Sequence, residues 1–201
     1  MKVEARIRSD LKPARPTLAD SAIRAWREAN PAGWCAVAAA VGVGAWAVST
    51  VRPAAAIVVY GIGLVALITA AMIDVIEQRL PNILSIGTGA LGLVALTGIS
   101  LATGEGGPLR ALAGGAIFGG WILLGALIAR DGYGLGDVKI AAACGILAGW
   151  LSWTAIAVAI LATQVAITFV LLHAKSRGRQ QAALGPAFVA GLLVAIVANG
   201  L

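Results

Sequence analysis

Residues 54–74 read AAAIVVYGIGLVALITAAMID, a run of twenty uncharged, mostly apolar residues followed by an aspartate. Twenty residues of α-helix rise about 30 Å, which is the thickness of the hydrocarbon core of a bilayer. The run therefore predicts a membrane-spanning helix over 54–73. Asp74 at its end predicts a carboxylate near the membrane surface, where a charge is costly unless it faces water or takes part in chemistry.

Six further apolar runs follow the same pattern. They predict helices at 34–51, 83–103, 109–129, 138–151, 153–173 and 184–200. The sequence is 60% hydrophobic and 12% charged, whereas a soluble domain is about half apolar and a quarter charged. We therefore predict the all-α class, as a polytopic membrane helix bundle of about six or seven transmembrane helices. The boundary at 149–153 is weakly marked, so six helices with one re-entrant or bent segment also fit.

Residues 1–33 form a basic N-terminal segment ahead of a predicted transmembrane domain at 34–201, and they hold seven of the fifteen Lys and Arg residues. Thr17 or Asp20 is suited to cap a short helix that continues to Asn30. The apolar face of that helix would hold Leu18, Ala22, Ile23, Trp26 and Ala29. The sequence leaves two interpretations of this segment open: a helix that lies on the membrane surface, and a tail without fixed structure.

Positive charge predicts the orientation of the chain. With seven spans and a cytoplasmic N-terminus, 13 of the 15 Lys and Arg residues fall on the cytoplasmic side, and only Arg52 and Arg110 fall outside. The positive-inside rule therefore predicts a multi-pass protein of the plasma membrane with both aspartate motifs at the cytoplasmic face. The net charge of +6 suits anionic lipid headgroups, so the lipid bilayer is a predicted partner and nucleic acid is not.

A second aspartate follows a glycine-rich turn, where residues 134–139 read GLGDVK. Gly134 and Gly136 remove side-chain bulk and permit backbone conformations that other residues resist. An extended substrate backbone is therefore expected to approach Asp137, which the dipole of the following helix helps to keep ionised. Lys139 is expected to stabilise that carboxylate or to extend toward the headgroups.

The residues after the first aspartate, 74–82, read DVIEQRLPN. Pro81 disfavours helix at the preceding residue and suits the start of the next helix, so it predicts a rigid turn about one helical turn beyond Asp74. Glu77 and Asp131 are expected to be solvated loop charges, and Arg79 a cation that faces lipid.

Asp74 and Asp137 share one predicted membrane depth. If their helices are neighbours, the two carboxyl groups cannot both ionise easily and share one proton. The ionised member then activates a water while the protonated member hydrogen-bonds the scissile carbonyl, as in aspartic proteases. The alternative is a transporter that moves protons or ions through the same acids, and a third reading is a catalytically inactive scaffold.

Glycines and cysteines complete the observations. Gly115 and Gly119, like Gly145 and Gly149, stand one turn apart, and small faces of this kind let helix backbones approach closely. General packing is favoured there over a dimer interface. The two cysteines, at 35 and 144, form no CxxC pair, so we predict no metal site and no cofactor. The sequence leaves a disulfide open and favours two buried free thiols.

The two aspartate motifs resemble those of the type IV prepilin peptidases, the bacterial GxGD membrane aspartyl proteases. The stretch at 74–82 is similar to the family's aspartate, basic loop and Pro-Asn, and 134–139 is similar to its second motif. Residues 184–188, LGPAF, resemble the Gly-Pro-Phe stretch that opens the family's last helix, with Ala187 inserted. The resemblance covers about residues 54–200.

The resemblance implies that 34–201 is a transmembrane aspartyl peptidase domain with Asp74 and Asp137 as its catalytic pair. The supporting residues would be Gly134, Gly136, Lys139 and Pro81. The implied substrate is a prepilin or pseudopilin of the bacterial inner membrane, whose basic leader is cut after a glycine at the cytoplasmic face. Larger members carry zinc-binding cysteine pairs and methylate the new N-terminus, so the missing CxxC pairs predict a peptidase-only form. The residues specify no oligomeric state.

Overall fold

The computed structural model describes residues 17–28, 31–128, 133–177 and 182–200, and these form eight α-helices and no strand. The helices are α1 (Leu18–Glu28), α2 (Pro31–Ser49), α3 (Ala54–Glu77), α4 (Asn82–Thr103), α5 (Pro108–Ile128), α6 (Leu135–Leu151), α7 (Trp153–Ser176) and α8 (Gly185–Gly200). The all-α prediction is confirmed, and α2 to α8 coincide with the seven predicted runs. The helix α3 continues four residues beyond its predicted end, so Asp74 lies inside its last turn.

Within the described ranges, four helices are long and apolar enough to cross a membrane, namely α3, α4, α5 and α7. The helix α8 and the part of α2 over Val37–Ser49 are also apolar but shorter. Large apolar side chains point away from the bundle, with Leu91, Leu127 and Phe169 exposed by 73%, 71% and 75%. Such a surface suits lipid rather than water. The chain is thus a membrane helix bundle, and the total of six or seven crossings stays a prediction.

The helix α6 lies at the centre and contacts α4, α5, α7 and α8. Its closest approach is to α5, where a Cβ added to Gly145 would overlap the backbone carbonyl of Gly114. A Cβ on Gly149 would come 3.0 Å from the Cα of Ala111. The small residues predicted to permit close helix packing therefore do so within one chain.

The boundary between α6 and α7 is a true helix end. Ser152 separates the two helices, and its hydroxyl accepts a hydrogen bond of 3.0 Å from the backbone N–H of Ala155. The guanidinium of Arg110 donates to the carbonyl oxygens at 149–151 over 2.6 to 2.7 Å. These are carbonyls that a helix end leaves without intrahelical partners. The chain therefore forms two separate helices here, and not the single bent segment that the sequence also allowed.

The N-terminal helix α1 packs against α3. Thr17 caps it as predicted, because the Thr17 hydroxyl accepts from the N–H of Asp20 over 3.2 Å while the Asp20 carboxylate accepts from the N–H of Thr17. Its buried residues are Ser21 and Ala25. Ile23 is 52% exposed, so this part of the predicted apolar face points away from the bundle. Small side chains face α3 because they allow the backbones to approach.

The two cysteines differ in their surroundings. Cys144 on α6 is buried and free, as predicted, whereas the free Cys35 on α2 is exposed. The prediction of burial was therefore wrong for Cys35, because the face of α2 that carries it points away from the bundle.

Candidate active site

Asp74 lies in the last turn of α3 and is only 7% exposed. Its Oδ2 accepts a hydrogen bond of 2.8 Å from the backbone N–H of Gly185, the first residue of α8. Because a buried carboxylate needs a donor, this bond fixes the carboxyl group at the junction of α3 and α8. A Cβ added to Gly185 would stand 3.1 Å from Oδ2 and 3.0 Å from the Cα of Ala71, so only a glycine fits this junction without displacement.

The chain reverses direction just after Asp74. Gln78 ends α3 in the left-handed region, with φ at 51°, and its N–H donates to the carbonyl of Asp74 over 2.9 Å. Pro81 is buried and precedes α4, and its carbonyl accepts from the N–H of Ser85 over 3.2 Å. The predicted role of Pro81 in starting the next helix is confirmed.

Asp137 lies in the first turn of α6 and is partly exposed. Its Oδ2 accepts a hydrogen bond of 2.8 Å from the N–H of Gly134, which satisfies one of the free donors at the helix N-terminus. Gly134 has φ at −89°, an ordinary value, so the backbone there does not use the conformational freedom that a glycine permits. Gly134 is exposed beside the carboxylate, which leaves open space on that side of Asp137.

The two motifs touch each other at two points. A Cβ added to Gly136 would stand 3.1 Å from the Cβ of Leu80, so the turn after α3 packs directly on the start of α6. Close by, the Nζ of Lys139 donates a hydrogen bond of 2.8 Å to Oδ1 of Asn82. The sequence suggested a carboxylate or headgroups as the partner of Lys139, and the observed partner is Asn82. These contacts bring both motifs to the same end of the bundle.

The contacts of Gly136 with Leu80 and of Lys139 with Asn82 place the carboxyl groups of Asp74 and Asp137 at the same end of the bundle. Each accepts a backbone N–H, one from the start of α8 and the other from the start of α6. Asp74 is buried and Asp137 is partly exposed, so solvent reaches the Asp137 carboxyl group more easily than the Asp74 carboxyl group. Such a pair can divide one proton and activate a water.

The neighbouring charges differ from their predicted surroundings. The side chain of Glu77 is only 10% exposed, so its reading as a solvated loop charge was wrong. It accepts a hydrogen bond of 3.0 Å from the Ser21 hydroxyl on α1 and lies 3.6 Å from the Nε of Arg79. Arg79 thus pairs with a carboxylate while its side chain stays 45% exposed, and its reading as a cation that faces lipid stays a prediction. Asp131 and Gly132 lie outside the described residues.

The residues that the structure describes contain no group of three or more His, Cys, Asp and Glu side chains that could hold a metal ion. The chemistry available at this end of the bundle is that of two carboxyl groups and the backbone donors that hold them.

Sequence reasoning missed two contributors to this site. Gly185 was noted only for the resemblance of its stretch, and its bond to Asp74 spans 111 residues of sequence. Asn82 was noted only as part of a motif, although it binds Lys139 across the two aspartate turns. The sequence offered one signal for the role of Gly185. This glycine directly precedes Pro186 and marks the start of an apolar run that has no side-chain cap.

Comparison with known proteins gives one match. Residues 61–174, more than half of the chain, match the family model described as the Type IV leader peptidase family. The matched region includes both aspartates, the turn that follows Asp74 and the turn that precedes Asp137. No curated protein and no solved structure matches the chain.

Proposed function

The chain belongs to the type IV leader peptidase family, and on that premise we propose that it is a membrane aspartyl endopeptidase that removes the leader peptide of prepilin-like proteins. One observation carries the proposal. Asp74 and Asp137 lie at one end of the bundle, where the turn after α3 packs on the start of α6 and Lys139 binds Asn82. Neither the family match nor the contacts among the described residues favour a transporter.

The proposed reaction is a direct attack by water. The ionised carboxyl group takes a proton from the water, whose oxygen bonds to the carbonyl carbon, while the protonated carboxyl group gives its proton to the carbonyl oxygen. The carboxyl group that took the water proton then gives it to the peptide nitrogen and the C–N bond breaks, while the other carboxyl group takes back a proton from a hydroxyl of the intermediate. The leader leaves with a new carboxyl group, the mature protein leaves with a new amine, and the pair is again singly protonated.

The surroundings of each carboxyl group support these roles. The N–H of Gly185 stabilises charge on Asp74, and the N–H of Gly134 stabilises charge on Asp137. A donor to a carboxylate favours its ionised form, whereas burial and a like charge favour protonation. Because both influences act on both groups, the pair is expected to titrate as a unit, with either residue able to hold the shared proton.

The supporting residues take structural roles in this proposal. Gly136 lets the turn containing Leu80 reach α6, and Pro81 starts α4 directly beyond that turn. Lys139 holds the two turns together through Asn82. Gly134 leaves space beside Asp137 for the substrate backbone.

The proposed location is the bacterial plasma membrane, with the N-terminus and the site at the cytoplasmic face. The distribution of Lys and Arg supports this orientation, because 13 of 15 fall on that side. A prepilin-like substrate presents its basic leader on the same side, ahead of an apolar helix embedded in the bilayer. The scissile bond then lies at the depth of the two aspartates.

The proposal is tested with the purified full chain in lipid vesicles and a prepilin that carries a basic leader, a junction glycine and an apolar helix. Mass spectrometry of the products is expected to show the leader ending at the junction glycine. A matched prepilin with that glycine replaced by valine is expected to remain intact. An uncut glycine substrate in the presence of folded, monodisperse protein would overturn the proposal.

A further inference from the structure

An apolar cavity of about 460 Å³ lies between α1, α2, α3 and α8. Its volume falls in the range of about 300–1,000 Å³ that is usual for ligand sites. Val75 is 56% exposed and lines the cavity together with exposed Glu28, so the cavity opens to the outside of the bundle. Most of its other walls are aliphatic, including Val37 on α2 and Val189 on α8.

The cavity shares its wall with the aspartate site. Ala71 contacts Gly185, the donor to Asp74, and also lines the cavity. Pro186, the residue after Gly185, lines it as well. A segment bound in the cavity therefore lies next to the junction of α3 and α8 that holds Asp74.

The cavity also extends from the aspartates toward the membrane interior. Ile68 lines it six residues before Asp74 on α3, and Leu193 lines it eight residues after Gly185 on α8. At 1.5 Å per residue these positions lie about 9 and 12 Å deeper than the site. That depth matches two turns of a helix or three residues of an extended segment.

The mouth of the cavity carries a charged side chain, whereas its deeper part is lined by uncharged ones. Among the described residues that line it, Glu28 alone carries a charge, and it lies at the C-terminal end of α1. A carboxylate at the mouth attracts a cationic side chain. The occupant that fits is a segment with an apolar part that enters the cavity and a basic part that stays near Glu28.

We propose that this cavity binds the junction-proximal apolar residues of the substrate helix, with Glu28 pairing with a cation of its leader. The inference rests on the proposed function, and it names the surface that selects the substrate. The helices α1, α2 and α8 lie outside the matched residues 61–174. Substrate selection in this chain is therefore assigned largely to residues beyond the family match.

Photo-crosslinking tests the occupant directly. The full chain carries Asp74→Asn to prevent turnover and p-benzoylphenylalanine in place of Val37, and the prepilin is supplied in the same vesicles. The probe is expected to capture the prepilin through its apolar helix, close to the junction. The matched control places the probe at Val43, which is 47% exposed on α2 and does not line the cavity. Capture of lipid only, of a second copy of the chain, or of equal prepilin at both positions would overturn the inference.

A charge exchange tests Glu28 in the active chain. Glu28→Lys is expected to raise KM for the basic leader about twofold to fivefold, the range for a solvated ion pair, with kcat unchanged. A leader with one Lys replaced by Glu is expected to recover the lower KM with this variant. Glu105→Lys, an exposed change at the opposite end of the bundle, is the matched control. An equal KM for both leaders with Glu28→Lys would contradict the pairing, whereas loss of all cleavage by the wild-type chain would count against the proposed function itself.

Discussion

The backbone N–H of Gly185 donates a hydrogen bond of 2.8 Å to Oδ2 of Asp74, and it joins the first residue of α8 to the last turn of α3. The bond holds the buried carboxyl group in one orientation. It also makes the position of α8 part of the site, although α8 supplies no acid of its own.

Gly185→Ala is expected to lower kcat/KM about 10- to 100-fold, because the added Cβ stands 3.0 Å from the Cα of Ala71 and moves the Asp74 carboxyl group away from its position. Initial rates of prepilin cleavage measure the effect. Gly87→Ala is the matched control, since nothing lies within 4 Å of its added Cβ. Equal rates for the Gly185 variant and the wild type would show that this junction does not position Asp74.

Gly136→Ala is expected to destabilise the folded protein by about 1 kcal/mol, because its Cβ would stand 3.1 Å from the Cβ of Leu80. Thermal unfolding in detergent measures the change. The double variant with Leu80→Ala removes the crowded side chain and is expected to recover part of the loss. Gly134→Ala is the control, because its Cβ meets Asp137 Oδ2 at an ordinary 3.6 Å. Equal unfolding temperatures for the two glycine variants would contradict the packing argument.

Gly145→Ala is expected to destabilise the bundle by about 1–3 kcal/mol, because its Cβ would overlap the backbone of α5, which cannot move alone. The fraction of monodisperse protein after heating reports the effect. Gly98→Ala places its Cβ in open space and is expected to behave like the wild type. A Gly145 variant as stable as the Gly98 variant would mean that α5 and α6 are not in close contact.

The activity of the wild type is expected to pass through a maximum as pH is varied. At low pH both carboxyl groups are protonated and no base remains, and at high pH both are ionised and no proton donor remains. The pH profile of kcat/KM therefore falls on both sides. Measurement requires a substrate whose leader carries Lys and Arg only, so that its charge stays constant. A rate independent of pH between 4 and 9, roughly the range in which a carboxyl pair titrates, would exclude a shared proton.

The helix positions were predictable because α2 to α8 are long apolar runs, separated by segments that contain Pro, Gly or charged residues everywhere except at Ser152. The contact of α1 with α3 was not predictable. The sequence left open a helix on the membrane surface or a tail without fixed structure, whereas α1 packs on α3 with Ser21 and Ala25 buried, because close packing favours small side chains.

The site was predictable only in part. Two aspartates at one membrane depth follow from hydropathy and charge, and so does their placement at one end of the bundle. The bonds that hold them do not, because Asp74 and Gly185 are 111 residues apart and the partner of Lys139 is 57 residues away. Packing over the whole bundle decides which helices are neighbours, and this cannot be read from a local sequence pattern.

The most direct test is the rate of prepilin cleavage by Asp74→Asn and by Asp137→Asn, each made alone. Each change keeps the shape of the side chain and removes its ability to share the proton. Glu105→Gln makes the same chemical change at an exposed site at the other end of the bundle and is the matched control. We predict that each aspartate variant loses about 100- to 10,000-fold in kcat at an unchanged level of folded protein, and that the control keeps the wild-type rate. Cleavage at the wild-type rate by either aspartate variant would contradict the two-carboxylate mechanism.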